Sequence, residues 1–202
     1  MSDLARELDL YAAAAAPSPV PDRVSGVLIA AGVADPWAMD LAARDARLAR
    51  LATALGNWPA WMAAPCTKCG AMADLLVTPE EVRAAYPEDT ATGITGADER
   101  AALDGTLDEN ALAARLGLPG ADALDAALAS QLPAPALTFD CPACGVRAPF
   151  AVDLLGWIAA SCAASIDVVA SLAAAFGWSE ATVAALPPAR RVAYLARTGD
   201  WA

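Results

Sequence analysis

Cys66-Thr67-Lys68-Cys69-Gly70-Ala71-Met72-Ala73 and Cys141-Pro142-Ala143-Cys144-Gly145-Val146-Arg147-Ala148 decide how this chain is read. Both are CxxC pairs followed by glycine. Two thiolates two residues apart converge on one centre when the backbone turns tightly between them, and glycine after the second cysteine accepts a positive φ there. Two such knuckles facing each other make a tetrahedral four-sulfur site, a donor set suited to zinc. Backbone N–H groups of each knuckle are then placed to stabilise the sulfurs. The 71 residues between the pairs exceed the usual zinc-ribbon separation. They therefore read as an insertion between two halves of one ribbon. Cys66, Cys69, Cys141 and Cys144 are the candidate metal ligands, and with four cysteines no coordination position is left open for catalysis. Three other readings use the same residues: a thioredoxin-like redox CxxC, which needs a βαβ setting, an iron–sulfur cluster, or local disulfides with no metal. Cys162 stands alone on an apolar stretch and reads as a small buried hydrophobe.

Outward from the knuckles the chain is mostly helical. Residues 2–16 and 22–31 are expected helices, closed by Pro17 and by Gly32. Asp35-Pro36 reads as an N-cap with proline at the first helical position, opening a helix that runs to Leu55 and stops at Gly56-Asn57. Leu41, Leu48, Leu51 and Leu55 form its apolar face, with Arg44, Arg47 and Arg50 placed largely off it. Residues 57–65 lead into the first knuckle, and Met72 to Val77 is a short strand. Thr78-Pro79-Glu80-Glu81 is a capping box opening a helix to Ala85. Residues 86–131 hold short helical pieces between glycines and read as an acidic, solvated, partly mobile insertion, and residues 132–135 as a proline-bounded linker. Leu137-Thr138-Phe139 and residues 150–152 are expected strands about the second knuckle. A long helix spans about 153–176, stopped by Gly177. Ser179 caps a short helix, and Pro188 opens the last one, to Arg197.

Composition narrows the function. The 202 residues carry a net charge of −11, and twelve acids stand against three arginines between Asp74 and Asp125. That balance opposes nucleic acid and anionic membrane surfaces as partners. There is no histidine, so every Ser-His, Cys-His and His-metal arrangement is excluded, and Lys68 is the only lysine. No phosphate-binding loop is present: Gly93-Ile94-Thr95-Gly96 lacks the Lys-Ser/Thr that a P-loop needs. The acids are scattered among turns, with no pair placed in a shared pocket. Asp167, within the long apolar helix, is the one carboxylate whose setting is left open: solvent, or pairing with Arg190 or Arg191. The N-terminus carries Asp3, Glu7 and Asp9 where a secretory signal needs positive charge. The expected location is cytoplasmic.

The last fifty residues carry a resemblance. Phe176, Trp178, Ser179, Glu180, Val183, Leu186, Arg190, Arg191, Tyr194 and Leu195, with the knuckle Cys141–Gly145 just upstream, form a recognisable string. It resembles the tail of a family of small baseplate proteins, or baseplate hub assembly chaperones, of contractile-tailed phages and contractile injection systems. The resemblance covers residues 137–198. It departs from the family before Trp178, where related sequences often carry a Glu and a His and this chain reads Ile166-Asp167-Val168-Val169. What it implies is a non-enzymatic assembly or structural role, with other baseplate, hub or tail proteins as partners and incorporation into a tail or injection particle. Trp178, Arg190, Arg191 and Tyr194 are the partner-binding candidates, and no small-molecule substrate is expected.

The expected architecture is mainly α with a small β zinc-ribbon-like element, helices packed around a four-cysteine zinc site, and a C-terminal helical hairpin. Residues 1–65 form the N-terminal helical region, 66–152 the zinc-ribbon-like module split by the acidic insertion at about 86–131, and 153–202 the hairpin. The alternative function is a zinc-ribbon interaction module in transcription or RNA handling.

Overall fold

Proline and glycine cut the chain into short helices, and two hairpins interrupt them. The structure, a computed structural model, describes residues 3–56, 58–87, 92–131 and 137–198. Asn57, residues 88–91 of the expected insertion and the expected linker 132–135 lie outside the described residues. Helix α1 spans Asp3–Ala15 and α2 spans Val20–Ala30, with Pro21 in its first turn. Helix α3 spans Leu41–Ala54. Strands β1, Ala60–Pro65, and β2, Met72–Val77, flank the first knuckle and pair antiparallel, Ala60 opposite Val77 and Pro65 opposite Met72. Helix α4, Pro79–Ala85, opens on the expected capping box: Thr78 and Glu81 bond reciprocally. Helices α5 (Gly96–Leu103), α6 (Glu109–Arg115) and α7 (Ala121–Gln131) follow. Strands β3, Leu137–Asp140, and β4, Arg147–Phe150, flank the second knuckle. Helix α8, Leu154–Phe176, is capped by Asp153 and stopped by Gly177 at φ +68°. Helices α9, Glu180–Ala185, and α10, Pro188–Thr198, complete the chain.

Helix α8 organises the rest. With 23 residues it is about 34 Å long, and α1, α3, α9 and α10 all pack on it. By length and composition alone it is long and apolar enough to cross a membrane, and 22% of its most apolar window is buried inside the protein. Ile158 and Cys162 join Leu10, Ala14, Val27, Leu28, Leu48 and Val82 in the main core. Its C-terminal half contributes Leu172 to a second cluster with Leu4, Leu8 and Val183. The N- and C-terminal stretches of the chain therefore share both cores.

Four local expectations are corrected. The first is the start of α3. Asp35 does accept the Ala38 N–H, at 3.2 Å, but only within a turn. The cap is Asp40, which accepts from Ala42 and turns its other carboxylate oxygen to Thr92 and Gly93. A cap that also holds a distant loop displaces one that does not. The second is the return strand, which is residues 147–150 rather than 150–152. The Cys141 N–H donates to the Val146 carbonyl at 2.9 Å, so pairing resumes at once with Arg147 opposite Asp140. The third is the acidic segment, which folds over residues 92–131. Ile94, Leu112, Ala113 and Leu124 form its own small core.

The fourth correction is Arg44. It lies on the buried stripe of α3, not off it, and is 2% exposed. Its guanidinium donates to Glu99 at 2.8 Å, to Ser25 Oγ at 2.8 Å and to the Pro21 carbonyl at 3.1 Å. The Trp37 ring centroid lies 5.3 Å from it. At 100° per residue, position 44 falls between the directions of Leu48 and Leu51, so the arginine was always inside the apolar stripe. The pair it forms with Glu99 ties the acidic segment to the helical body.

Asp45, the next residue, is half-buried, and desolvation pushes its carboxyl up to about 6, with Arg44 opposing and Glu99 reinforcing the shift. Nearby Tyr86 is pushed up to about 12, by burial first and then by Asp45 and Asp153. A carboxyl raised from 3.8 to about 6 favours the folded state fully below pH 4, and that contribution is lost as pH rises through 6. Asp45→Asn therefore stabilises the protein at pH 7.5 by up to about 3 kcal/mol, at about 1.4 kcal/mol per pKa unit, and does little at pH 4. Urea titrations of both proteins at the two pH values measure this. An equal difference at both would overturn it.

Candidate metal centre

Two hairpins deliver the four cysteines, and each knuckle repeats the same backbone bonds. The Gly70 N–H donates to the Cys66 carbonyl at 2.9 Å, and the Cys66 N–H to Ala71 at 2.9 Å. The Gly145 N–H donates to the Cys141 carbonyl at 2.8 Å, matching the Cys141–Val146 bond. Gly70 and Gly145 have φ of +72° and +66°, where a side chain is strained although neither faces a neighbour within 4 Å. The glycines are there for conformation, as the sequence pattern implies.

The sulfurs converge. Cys66 Sγ lies 3.8 Å from Cys144 Sγ, and Cys69 Sγ lies 3.7 Å from Cys141 Sγ. All four lie within 4.8 Å of one another, and none is in a disulfide. Four thiolates about 2.3 Å from one ion sit about 3.8 Å apart at the corners of a tetrahedron. The cluster therefore has the geometry to hold one metal ion. A multi-iron cluster would place its own irons and sulfides between the thiolates and spread them further.

Burial divides each knuckle in the same way. The first cysteines, Cys66 and Cys141, are each 2% exposed and pack with Ala64, Ala73, Phe139 and Ala148. The second cysteines, Cys69 and Cys144, are exposed. The backbone N–H groups of Cys69 and Lys68 hold the Cys66 thiol down to about 6. At Cys144 the Val146 N–H acts in the same sense. Local desolvation of the sulfur and its three neighbouring thiols outweigh it and push that thiol up to about 12. Four thiols this close do not all ionise without a cation among them, and a bound cation supplies the missing charge.

The remaining candidates fall elsewhere. Cys162 is 1% exposed in the main core, its thiol raised by burial and then by Glu7. Asp167 is exposed, which settles its setting as solvent. Trp178 is half-buried, stacked on Phe176 at 4.8 Å and edge-on to Tyr194 at 4.9 Å. Arg191 is 9% exposed, while Arg190 is exposed. Of the four partner-binding candidates, three thus contribute to the packing of α9 and α10, and Arg190 faces outward.

A surface feature escaped the sequence reading. Residues 57–65 read as a lead-in, because Ala-Trp-Met-Ala-Ala-Pro has little strand propensity. Of these, Ala60–Pro65 form β1, which turns Trp61 to solvent opposite Leu76, and Pro65 opposite Met72. Trp61 is 71% exposed and Met72 60%. The alternation of Trp61, Ala63 and Pro65 was the available signal. Behind this hairpin, a groove of about 590 Å³ runs between Met62, Pro65 and Thr67 on one side and Phe150, Val152 and Trp157 on the other.

Compared with protein-family models, with curated proteins and with solved structures, the chain matches none of them.

Proposed function

We propose that this protein is a non-enzymatic assembly factor or minor structural component of a contractile phage tail or injection-system baseplate, folded around one structural zinc. The observation that supports the zinc assignment is the four-sulfur cluster. Its two cross-knuckle spacings, 3.8 and 3.7 Å, suit a single zinc ion, and four protein ligands would leave no place for a substrate. Such an ion acts as a staple, joining segments separated by 71 residues. The Cys-Pro-Ala-Cys-Gly knuckle at 141–145 and the string from Phe176 to Leu195 support the baseplate role. The aromatic packing of Phe176, Trp178 and Tyr194 gives that string a purpose: it seats α9 and α10 on α8. Arg190 and the exposed Trp61 face are the proposed partner contacts, with hub, spike or tail-tube proteins as partners and the cytoplasm as the site of assembly. A net charge of −11 weighs against the nucleic-acid alternative.

Affinity capture from the native host, read by mass spectrometry, tests the proposal. Recovery of hub, spike, tail-tube or baseplate proteins is the expected result, diminished by Arg190→Glu or Trp61→Ser. Recovery of polymerase or ribosomal proteins with no tail proteins would overturn it.

A further inference from the structure

The burial pattern of the four thiols has a chemical consequence. Each knuckle has one exposed cysteine, Cys69 or Cys144, and one buried cysteine, Cys66 or Cys141. Two close sulfur pairs run across the site, each joining an exposed cysteine to a buried one of the opposite knuckle: Cys69 with Cys141 at 3.7 Å, and Cys144 with Cys66 at 3.8 Å. An accessible thiolate with a second thiol poised beside it is the arrangement that turns oxidation into a disulfide. We infer that the centre is a peroxide-responsive switch in which oxidation exchanges the metal staple for a covalent one across the two knuckles. The inference rests on the metal-centre reading above.

The chemistry balances with a hydroperoxide as oxidant. The Cys69 thiolate attacks the O–O bond of hydrogen peroxide, giving the sulfenic acid and one hydroxide. The Cys141 thiolate then attacks that sulfur, forming the S–S bond and expelling a second hydroxide. Two sulfurs have lost two electrons in total, and one peroxide has been reduced to two hydroxides, which take up two protons from the buffer to become water. Cys144 and Cys66 react in the same way with a second peroxide. The sulfurs need to close from 3.7 Å to the S–S length of about 2.0 Å, a movement that side-chain torsions supply. Each disulfide removes two of the four ligands, so the ion is released while β1–β2 and β3–β4 stay joined. A cross-knuckle bond keeps the two halves of the chain together, which a bond within either CxxC does not.

Cys162→Ala protein, lacking the buried fifth thiol, is loaded with zinc, and its metal content is measured first. Hydrogen peroxide is then added, released zinc is read with a colorimetric chelator, and disulfides are mapped by non-reducing peptide mass spectrometry. The expected result is near-complete zinc release, with Cys69–Cys141 and Cys66–Cys144 peptides that separate on reduction. Zinc retained under excess peroxide, or disulfides only within Cys66/Cys69 and Cys141/Cys144, would overturn the switch. A chain that takes up no zinc overturns the metal reading instead. The same map made on its reduced form still decides which sulfurs pair.

Discussion

Stripping the metal with a strong chelator lowers the melting temperature by 10 °C or more and leaves most of the helical circular dichroism in place. The module around the site has little else to hold it. Its buried residues beyond the cysteines are Ala64, Ala73, Phe139 and Ala148, with Ala71, Leu75 and Phe150 partly buried against them. One phenylalanine and three alanines contribute a few kcal/mol of apolar burial, at roughly 0.8 kcal/mol per buried methylene-sized group. Structural zinc supplies roughly 10–16 kcal/mol of apparent binding energy in small modules, several times what that burial contributes. The helical body has its own core around Ile158 and Leu28, so it survives. Losing even about 5 kcal/mol shifts the midpoint of a chain this size by about 10–20 °C. Metal analysis of the purified protein finds about one zinc per chain, and Cys141→Ser reproduces the chelated state. A metal-free protein of unchanged melting temperature would sink the assignment.

The site was legible because ligand chemistry writes itself in sequence: CxxCG fixes spacing, turn and donor type together. Helix ends written by one residue were legible for the same reason. Thr78 with Glu81, Ser179, Gly177 and Pro188 all act where local pattern places them. What stayed hidden depends on residues distant in sequence. Asp40 outranks Asp35 as a cap because Thr92 and Gly93 donate to it from 52 and 53 residues away. Strand β1 exists because β2 pairs with it, not because its own residues prefer the extended state. The fold of residues 92–131 had a local sign that went unread: Thr95 and Asp98 form a capping box at the head of α5. Arg44 is different again. Its place in the stripe follows from helix periodicity, and it was misplaced because a charge was assumed to face water.

Arg44→Ala destabilises the protein by about 3–5 kcal/mol, the range for removing one partner of a buried ion pair. Three groups lose a donor at once: the Glu99 carboxylate, the Pro21 carbonyl and the 1%-exposed Ser25 hydroxyl. The volume is lost too, since Trp37 and Gly96 both rest against the guanidinium, and a Cβ on Gly96 would stand 2.7 Å from Nη1. Arg44→Met refills the space without the charge and so costs less. Glu99→Gln costs least, because Glu99 is 34% exposed and water solvates what the pair gave up. The order Ala, Met, Gln in decreasing cost separates a buried polar anchor from a generic packing residue, for which Met would be nearly neutral. Urea denaturation gives the three values, and amide exchange in α5 shows where the loss is felt. Faster exchange there, at unchanged zinc content, means that Arg44 and the metal hold different parts of the chain: the ion joins the two hairpins, and the arginine joins the acidic helices to the body. An Arg44→Ala protein within 1 kcal/mol of the parent would mean that Asp40 and the Asp22–Arg100 pair suffice to hold that segment.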